Sequence, residues 1–242
     1  MFPKADATPI DTNKFKNLDG LIDAIYNPLR TSFIMNGKNK GITAEGGLYM
    51  LVSQGIKASE LFFAKAYSDD TYNEVFSFVT SLQENIVLTG MPGSGKSAIA
   101  EALATKTGKK YFDTDIIIKE KTGMEISDIF EKYGEKHFRD LESDTIKELS
   151  SLTGIIISTG GGSILRPENI NMLKSNGHIY YIDRDIDNII PTDDRPLSNS
   201  RETLEKRFEE RHDIYLSTAD SIIDNNRTLE EAVDSIVNQL NI

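Results

Sequence analysis

Along residues 86–242, short apolar runs alternate with stretches whose apolar residues recur every three or four positions. The runs predict β-strands at 86–90, 110–113, 155–158, 178–182 and 220–223. The periodic stretches predict helices at 96–107, 116–121, 125–132, 135–151, 168–175, 200–215 and 229–240. This alternation is typical of an α/β domain with a five-stranded parallel sheet and helices on both faces.

The first 84 residues have a weaker pattern. A short strand is predicted at 21–26. It ends before Pro28, because proline has no backbone N–H to donate to a sheet. A helix is predicted at 48–63, with apolar residues at positions 48, 51, 52, 56 and 62, and a second helix at 71–83. We therefore expect two parts, a small and mostly helical appendage at 1–84 and an α/β domain at 85–242.

The first strand of the α/β domain runs directly into a glycine-rich loop. The loop reads Gly90-Met91-Pro92-Gly93-Ser94-Gly95-Lys96-Ser97, which fits the pattern G-x-x-x-x-G-K-[ST], and a helix-favouring run starts at Ala98. Glycines let successive backbone N–H groups point inward, and the start of a helix adds its positive end. A plain glycine-rich turn is the alternative, but the flanking strand and helix favour a phosphate-binding loop.

In this phosphate-binding loop, Lys96 is predicted to reach the outer phosphates of a nucleotide, and the Ser97 hydroxyl can ligate Mg²⁺. The predicted nucleotide-binding residues are Gly93, Ser94, Gly95, Lys96, Ser97 and Ala98.

Composition and charge exclude several classes of protein. The 242 residues include no cysteine, which excludes disulfides, thiolate zinc sites and cysteine nucleophiles. We see no signal-peptide pattern and no apolar run long enough to span a membrane, so we expect a cytoplasmic protein. The net charge of −11 disfavours nucleic acid and anionic membranes as partners. The three histidines have no metal-ligand spacing and are interpreted as structural or surface residues.

Polar residues and glycines follow two further predicted strands. Asp113-Thr114-Asp115 comes after the second strand, and carboxylates two apart on an extended segment point to opposite sides. One could face a metal and the other a second substrate, although either could instead cap the next helix. Gly160-Gly161-Gly162 follows the third strand and would leave bare amides beside a ligand, with a plain turn as the alternative.

Three arginines complete the candidate chemistry. Arg139 lies early in a long predicted helix and could bind a carboxylate, although a lone helical arginine is usually a solvated surface residue. Arg195 lies in a charged, proline-containing stretch, 184–200, that is typical of a mobile lid, and Arg211 follows sixteen residues later. A lid arginine can neutralise charge on a phosphoryl group in transfer.

The order and spacing of these motifs over residues 86–242 closely resemble those of shikimate kinases. Further matching pieces are Ile126-Ser127-Asp128-Ile129-Phe130, Gly134-Glu135-Lys136-His137-Phe138-Arg139 and Arg195-Pro196-Leu197. The resemblance implies transfer of the γ-phosphate of MgATP to the 3-hydroxyl of shikimate, in the biosynthesis of aromatic amino acids. Two departures are the absence of a basic residue at 188–191 and a loose match to the family's adenine loop at Asn225-Asn226-Arg227.

The resemblance also implies a role for each site residue. Lys96, Ser97 and Arg195 would serve ATP, and Ser97 and Asp113 would hold Mg²⁺, Asp113 through water. Asp115 would grip the shikimate hydroxyls and accept the proton of the attacking one, so that Lys96, Asp115 and Arg195 form the catalytic set. The predicted shikimate contacts are Asp115, Phe130, Phe138, Arg139, Glu142, Gly160, Gly161, Gly162 and Arg211, with the two arginines Arg139 and Arg211 on the carboxylate.

Residues 18–84 resemble the C-terminal end of shikimate dehydrogenases. The matching pieces are Asp23-Ala24-Ile25-Tyr26-Asn27-Pro28-Leu29-Arg30-Thr31 and the run from Gly46 to Gly55, in which Gln54 matches a substrate-contacting glutamine. No dinucleotide-binding turn occurs here, and the family's catalytic Lys and Asp have no counterpart, so we expect no hydride transfer. We favour a remnant of a fusion that packs on the kinase domain or a partner chain over substrate binding by Gln54.

Two rival functions remain open. A P-loop kinase for another small hydroxylated metabolite, such as gluconate or a nucleoside monophosphate, would use the same donor motif. Two arginines beside Asp115 suit a carboxylated polyol better than a nucleotide, which would need a base pocket. A non-catalytic ATP-binding module with a regulatory or scaffold role is the rival from another class.

Overall fold

The structure is a computed structural model that describes residues 10–189 and 201–240. The chain divides into two compact units, and the division falls between Glu84 and Asn85. Across the described residues, no helix combines the length and the apolar character needed to cross a membrane.

The N-terminal unit contains a short parallel sheet as well as helices. Its elements are a 3₁₀ turn at Thr12–Lys14, β1 at Gly20–Ile22, α1 at Ser32–Asn39, β2 at Thr43–Glu45, α2 at Gly47–Phe63 and α3 at Asp69–Gln83. Strands β1 and β2 pair in parallel, with Leu21 opposite Ala44, and α1 connects them. The strand predicted at 21–26 is therefore shorter than expected, and α1 and β2 were not predicted.

Helices α2 and α3 of the N-terminal unit pack on each other through one apolar stripe. Leu48, Val52 and Ile56 of α2 are buried against α3 residues such as Val75 and Phe76. The predicted stripe also included Leu51 and Phe62, but both are exposed, Phe62 at 87%. Because α3 covers a single face, it reaches only the residues spaced four apart on α2.

The second unit is an α/β domain, as the sequence predicts. Its strands are β3 at Asn85–Thr89, β4 at Tyr111–Asp113, β5 at Ile156–Ser158, β6 at Gly177–Asp183 and β7 at Ser221–Asp224. All described pairings are parallel, and the order across the sheet is β4-β5-β3-β6-β7. Its helices are α4 at Lys96–Thr107, α5 at Thr114–Thr122, α6 at Ile126–Ser150, α7 at Pro167–Asn176, α8 at Arg201–Thr218 and α9 at Leu229–Val237. Two 3₁₀ turns lie at Ser163–Leu165 and Ile186–Asn188.

Both faces of this sheet are buried, which is why its strands read as continuous apolar runs. On one face, Ile86 and Leu88 of β3 pack against residues of α4 and α9 such as Leu103 and Ile236. On the other face, Val87 packs against a cluster from α6 and α7. The phosphate-binding loop follows β3 directly, so the central strand of the sheet, buried at all five positions, holds it in place.

Helix α6 is broken at Gly134, where the backbone takes φ 81° and ψ 168°. Two helical segments were predicted there, 125–132 and 135–151, and the break at Gly134 falls in the gap between them. The second segment carries Phe138, Arg139 and Glu142, all of them buried. The break therefore starts a new helix immediately before the residues that face the cavity described next.

Candidate active site

The loop between β3 and α4 has the geometry of a phosphate cradle. Gly90, Gly93 and Gly95 all take positive φ angles, of 146°, 84° and 96°. A side chain at Gly95 would also meet the amide of Asn225, whose Nδ2 donates to the Ser94 carbonyl at 2.7 Å. Glycine alone adopts these angles without strain, and the first amides of α4 have no intrahelical acceptor. An anion placed at this helix start would receive several N–H donors.

Two side chains of this loop are held by nearby groups. Lys96 is 8% exposed, and its Nζ donates to the carbonyls of Gly90 at 2.9 Å and Met91 at 2.8 Å. The Ser97 hydroxyl donates to Oδ2 of Asp113 at 3.1 Å. A hydroxyl and a carboxylate oxygen therefore meet at the mouth of the loop, and both are ligand types that Mg²⁺ accepts.

Asp113 ends β4 and caps α5 at the same time. Its Oδ1 accepts from the backbone N–H of Asp115 at 2.9 Å, while Oδ2 also accepts from the Tyr111 hydroxyl at 3.1 Å. Burial, followed by the charge of Asp113, raises the pKa of Tyr111 to about 12. The capping alternative for Asp113 is thus realised, and it leaves Oδ2 facing Ser97.

The predicted geometry of Asp113 and Asp115 is wrong. The sequence interpretation put both carboxylates on one extended segment with opposite directions. In the structure α5 begins at Thr114, so Asp115 lies in the first turn of a helix. Both residues line the same cavity because the chain turns sharply between them.

A cavity of about 280 Å³ lies over the carboxyl ends of the strands of this unit. It brings together most of the residues that the sequence singled out. Its lining is Pro92, Lys96, Ser97, Asp113, Asp115, Ile116, Lys119, Ile126, Phe130, Phe138, Arg139, Glu142, Ser158, Thr159, Gly160, Gly161, Gly162, Arg207 and Arg211.

Arg139 is a buried residue of the cavity wall and not a solvated one. It is 8% exposed, and it pairs with Glu142 at 2.8 Å and with Glu135 at 3.2 Å. Burial by itself would lower the pKa of Arg139, but Glu142 and Glu135 outweigh burial and raise it. Glu142 is fully buried and also accepts from the Ser163 hydroxyl at 2.7 Å. One carboxylate oxygen of Glu142 is therefore held by Arg139 and the other by Ser163.

The three consecutive glycines sit where the cavity wall leaves no room for side chains. A Cβ at Gly160 would lie 2.7 Å from Oε1 of Glu142, and one at Gly161 would lie 2.7 Å from Cδ of Pro92. A Cβ at Gly162 would overlap the guanidinium of Arg139. The glycines therefore let the backbone approach the ion pair on one side and the phosphate-binding loop on the other.

Arg211 reaches the same wall from α8. It is 4% exposed, and its Nη1 donates to the Gly161 carbonyl at 3.0 Å. The Tyr215 hydroxyl donates to the same oxygen at 2.5 Å, and burial raises the pKa of Tyr215. Gly161 is thus held in place by two residues one helical turn apart.

An aromatic pair forms the apolar part of the cavity. The rings of Phe130 and Phe138 lie 4.7 Å apart, and the Arg139 guanidinium carbon lies 5.3 Å from the Phe138 ring centre. Phe130 comes from the helical segment before Gly134 and Phe138 from the segment after it. The break in α6 is what brings the two rings together.

The model of the shikimate kinase family matches residues 92–241, which is more than half of the chain. The chain belongs to the shikimate kinase family. A shikimate kinase of Clostridium botulinum (strain Eklund 17B / Type B) is 42% identical over 159 residues, covering 64% of this chain and 96% of that protein. Family membership makes this chain an ATP-dependent kinase of a small molecule, in agreement with the sequence prediction.

Solved structures of shikimate kinases agree with this fold. The enzyme from Acinetobacter baumannii, solved in complex with shikimate, is 30% identical with a TM-score of 0.62, covering 68% of this chain and 96% of that one. The enzyme from Aquifex aeolicus is 34% identical with a TM-score of 0.58, covering 64% of this chain and 95% of that one. The predicted α/β fold with a five-stranded parallel sheet is confirmed.

The cavity is not lined by every predicted site residue. Gly93, Ser94, Gly95 and Ala98 belong to the phosphate-binding loop and the start of α4 but are not among the lining residues. Arg195 lies outside the described residues. The roles of all these residues stay predictions.

Seven lining residues were not assigned to the site from the sequence: Pro92, Ile116, Lys119, Ile126, Ser158, Thr159 and Arg207. Lys119 follows Asp115 by four positions and pairs with Glu125 at 2.5 Å. Arg207 precedes Arg211 by four positions on α8. Helical residues four apart share a face, so this spacing could have found both of them.

Proposed function

We propose that this chain transfers the γ-phosphoryl group of ATP, with Mg²⁺, to the 3-hydroxyl of shikimate, yielding shikimate 3-phosphate and ADP. One observation carries the proposal. Lys96 and Ser97, which belong to the glycine-rich loop, line the same cavity as Arg139 and Arg211. A cavity with a polyphosphate site on one side and two buried arginines on the other suits a small acid with a free hydroxyl.

On the donor side, the amides of residues 93–98 would receive the phosphates of ATP. Lys96 would leave the carbonyls of Gly90 and Met91 to pair with the outer phosphates. Ser97 and Asp113 fit Mg²⁺ because their oxygens already lie 3.1 Å apart at the mouth of the loop. When bound, Mg²⁺ would neutralise part of the phosphate charge.

On the acceptor side, Arg139 and Arg211 would bind the shikimate carboxylate. Glu142 holds Arg139 in place, and the Gly161 carbonyl holds Arg211 in place. The two side chains therefore lose little conformational entropy when the acid binds. Asp115 would hold the ring hydroxyls and accept the proton of the attacking one. Phe130 and Phe138 would cover the carbon ring, and Gly160, Gly161 and Gly162 would line the space between acceptor and γ-phosphate.

This reaction needs alignment and charge neutralisation more than covalent help. Lys96 would supply one positive charge to the transferred group. For Arg195, which lies outside the described residues, we propose the second. In the proposed reaction, Asp115 takes the proton of the attacking hydroxyl as the new bond forms.

The test is a coupled assay of ADP release with shikimate, ATP and Mg²⁺, run beside a panel of other hydroxylated acids and nucleoside monophosphates. We expect turnover with shikimate to exceed turnover with every other acceptor by orders of magnitude. Preference for another acceptor would assign a different kinase activity. Calorimetric binding of ATP without turnover on any acceptor would favour a regulatory module.

For the N-terminal unit we propose kinship with the C-terminal end of shikimate dehydrogenases, as an appendage without its own catalysis, and we assign the kinase activity to residues 85–242. The exposed Gln54 side chain donates to the Leu51 carbonyl of its own helix, which supports a role outside catalysis. The chain of 242 residues should give no NADP⁺-dependent oxidation of shikimate. Formation of NADPH would contradict this assignment.

A further inference from the structure

Arg207 is a third arginine in the cavity. It lies on α8 one helical turn before Arg211, is partly buried, and lines the cavity together with Arg139 and Arg211. Burial first, and then the charges of Arg211 and Arg139, lower the pKa of Arg207. Three guanidinium groups thus face one small space, and arginine keeps its charge under all ordinary conditions.

The three arginines differ in how their charge is offset. Arg139 is paired with the carboxylates of Glu142 and Glu135, and Arg211 donates to a neutral carbonyl. Within residues 10–189 and 201–240, Arg207 has no carboxylate within ion-pair distance and donates no hydrogen bond. Glu135 and Glu210 act on Arg207 only at longer range.

We propose that Arg207 is a specificity-determining residue that binds the anionic group of the acceptor, which is a carboxylate in the proposed reaction. The inference rests on that proposed function and deepens it. Arg139 has much of its donor fork engaged with Glu142 and Glu135, whereas the fork of Arg207 has no protein acceptor in the described residues. A carboxylate offers about four lone pairs, enough for a further arginine beside Arg139 and Arg211.

A set of three variants tests this role. Arg207→Gln removes the charge, Arg207→Lys keeps the charge but loses the planar fork, and Lys206→Gln removes a charge from the adjacent, exposed position of the same helix. Shikimate affinity is measured by calorimetry without nucleotide, and kcat and KM by the coupled assay. We expect Arg207→Gln to weaken shikimate binding about tenfold, Arg207→Lys to weaken it less, and Lys206→Gln to leave it unchanged. The KM for ATP should stay the same in all three.

The methyl ester of shikimate then shows which group Arg207 contacts. The ester keeps the ring and hydroxyls but removes the negative charge, so wild-type protein and Arg207→Gln should bind it equally. An equal loss of affinity for acid and ester would overturn the proposal, as would a fall in kcat with unchanged shikimate affinity. Failure of the proposed function would look different, because wild-type protein itself would neither bind nor phosphorylate shikimate.

Discussion

The proposed donor and acceptor sides of the site use different kinds of groups, backbone amides on the donor side and side chains on the acceptor side. On the proposed donor side, most candidate ligands are backbone amides of one stretch, 90–98, whose conformation is set by the turn from β3 into α4. The acceptor side draws on side chains from α5, α6 and α8 together with the glycine loop after β5. The first is set by local backbone conformation and the second by the packing of distant segments.

The two sides should therefore respond differently to mutation. Every substitution except proline keeps the backbone N–H, so the donor side should be sensitive mainly at the few side chains that supply charge. The acceptor side contains a buried ion pair, where loss of one partner strands the other. Changes there should affect substrate affinity and stability together.

The largest effect is expected on the donor side, for Lys96→Ala. Removing a positioned charge from the transferring phosphoryl group should lower kcat by about 10²- to 10³-fold. Steady-state kinetics with saturating shikimate would measure this. The matched control is Lys106→Ala at the far end of the same helix, where the lysine is exposed and pairs with Asp234, and it should change kcat little. An intact kcat with a raised KM for ATP would reduce Lys96 to a binding residue.

On the acceptor side, the largest effect is expected for Arg139→Ala. Loss of a charged pair should lower kcat/KM for shikimate about 100-fold, chiefly through KM. Because Glu142 would remain buried without its cation, the free energy of unfolding should fall by about 3 kcal/mol. Denaturant unfolding measures this second effect.

The two effects of Arg139→Ala can be separated with a second substitution. Adding Glu142→Gln removes the stranded charge, so the double variant should regain stability without regaining shikimate affinity. If stability and affinity recovered together, Arg139 would act on the acceptor only by holding the fold.

A smaller effect is expected where the glycine loop approaches the ion pair. Gly162→Ala puts a methyl group into the space of the Arg139 guanidinium, which must move. We expect the KM for shikimate to rise about tenfold while the KM for ATP stays unchanged, since one charge-assisted contact is weakened. Gly55→Ala is the control, because its new Cβ would meet nothing within 4 Å apart from its chain neighbours and the backbone of its own helix. It should leave both constants alone and raise stability by about 1 kcal/mol through better helix propensity. Unchanged shikimate kinetics in Gly162→Ala would place the acid away from Arg139.

The same difference explains what the sequence could predict. The donor loop and the five strands of the kinase unit follow from local pattern, because each is a continuous apolar run or a contiguous motif. Arg139 by itself favours a solvated helix position, and only the resemblance to shikimate kinases selected it. Its burial comes from the glycine loop that folds over it, which no local pattern reports.

Arg207 and the second strand of the N-terminal unit were missed for related reasons. The charged residues of α8 are typical of a solvated face, and only the four-residue spacing from Arg211 points to Arg207. Strand β2 is three residues long with only Ala44 buried, and it exists because Ala44 packs with Leu21, Phe33 and Ile34. Both features depend on contacts between segments far apart in sequence.

The smallest effect is expected from removing the N-terminal unit. All lining residues of the cavity come after residue 85, so a chain beginning at Glu84 should keep kcat and both KM values within about twofold. The cut must spare Asn85, which is buried and bridges the Leu152 carbonyl and the Ile155 N–H at 2.8 and 3.0 Å. Asn85→Ala in the full chain should lower the free energy of unfolding by about 1–3 kcal/mol, because two buried backbone groups lose their partner. A tenfold loss of kcat/KM for shikimate on truncation, with stability unchanged, would mean that the N-terminal unit contributes to the acceptor side and that the cavity is not complete within residues 85–242.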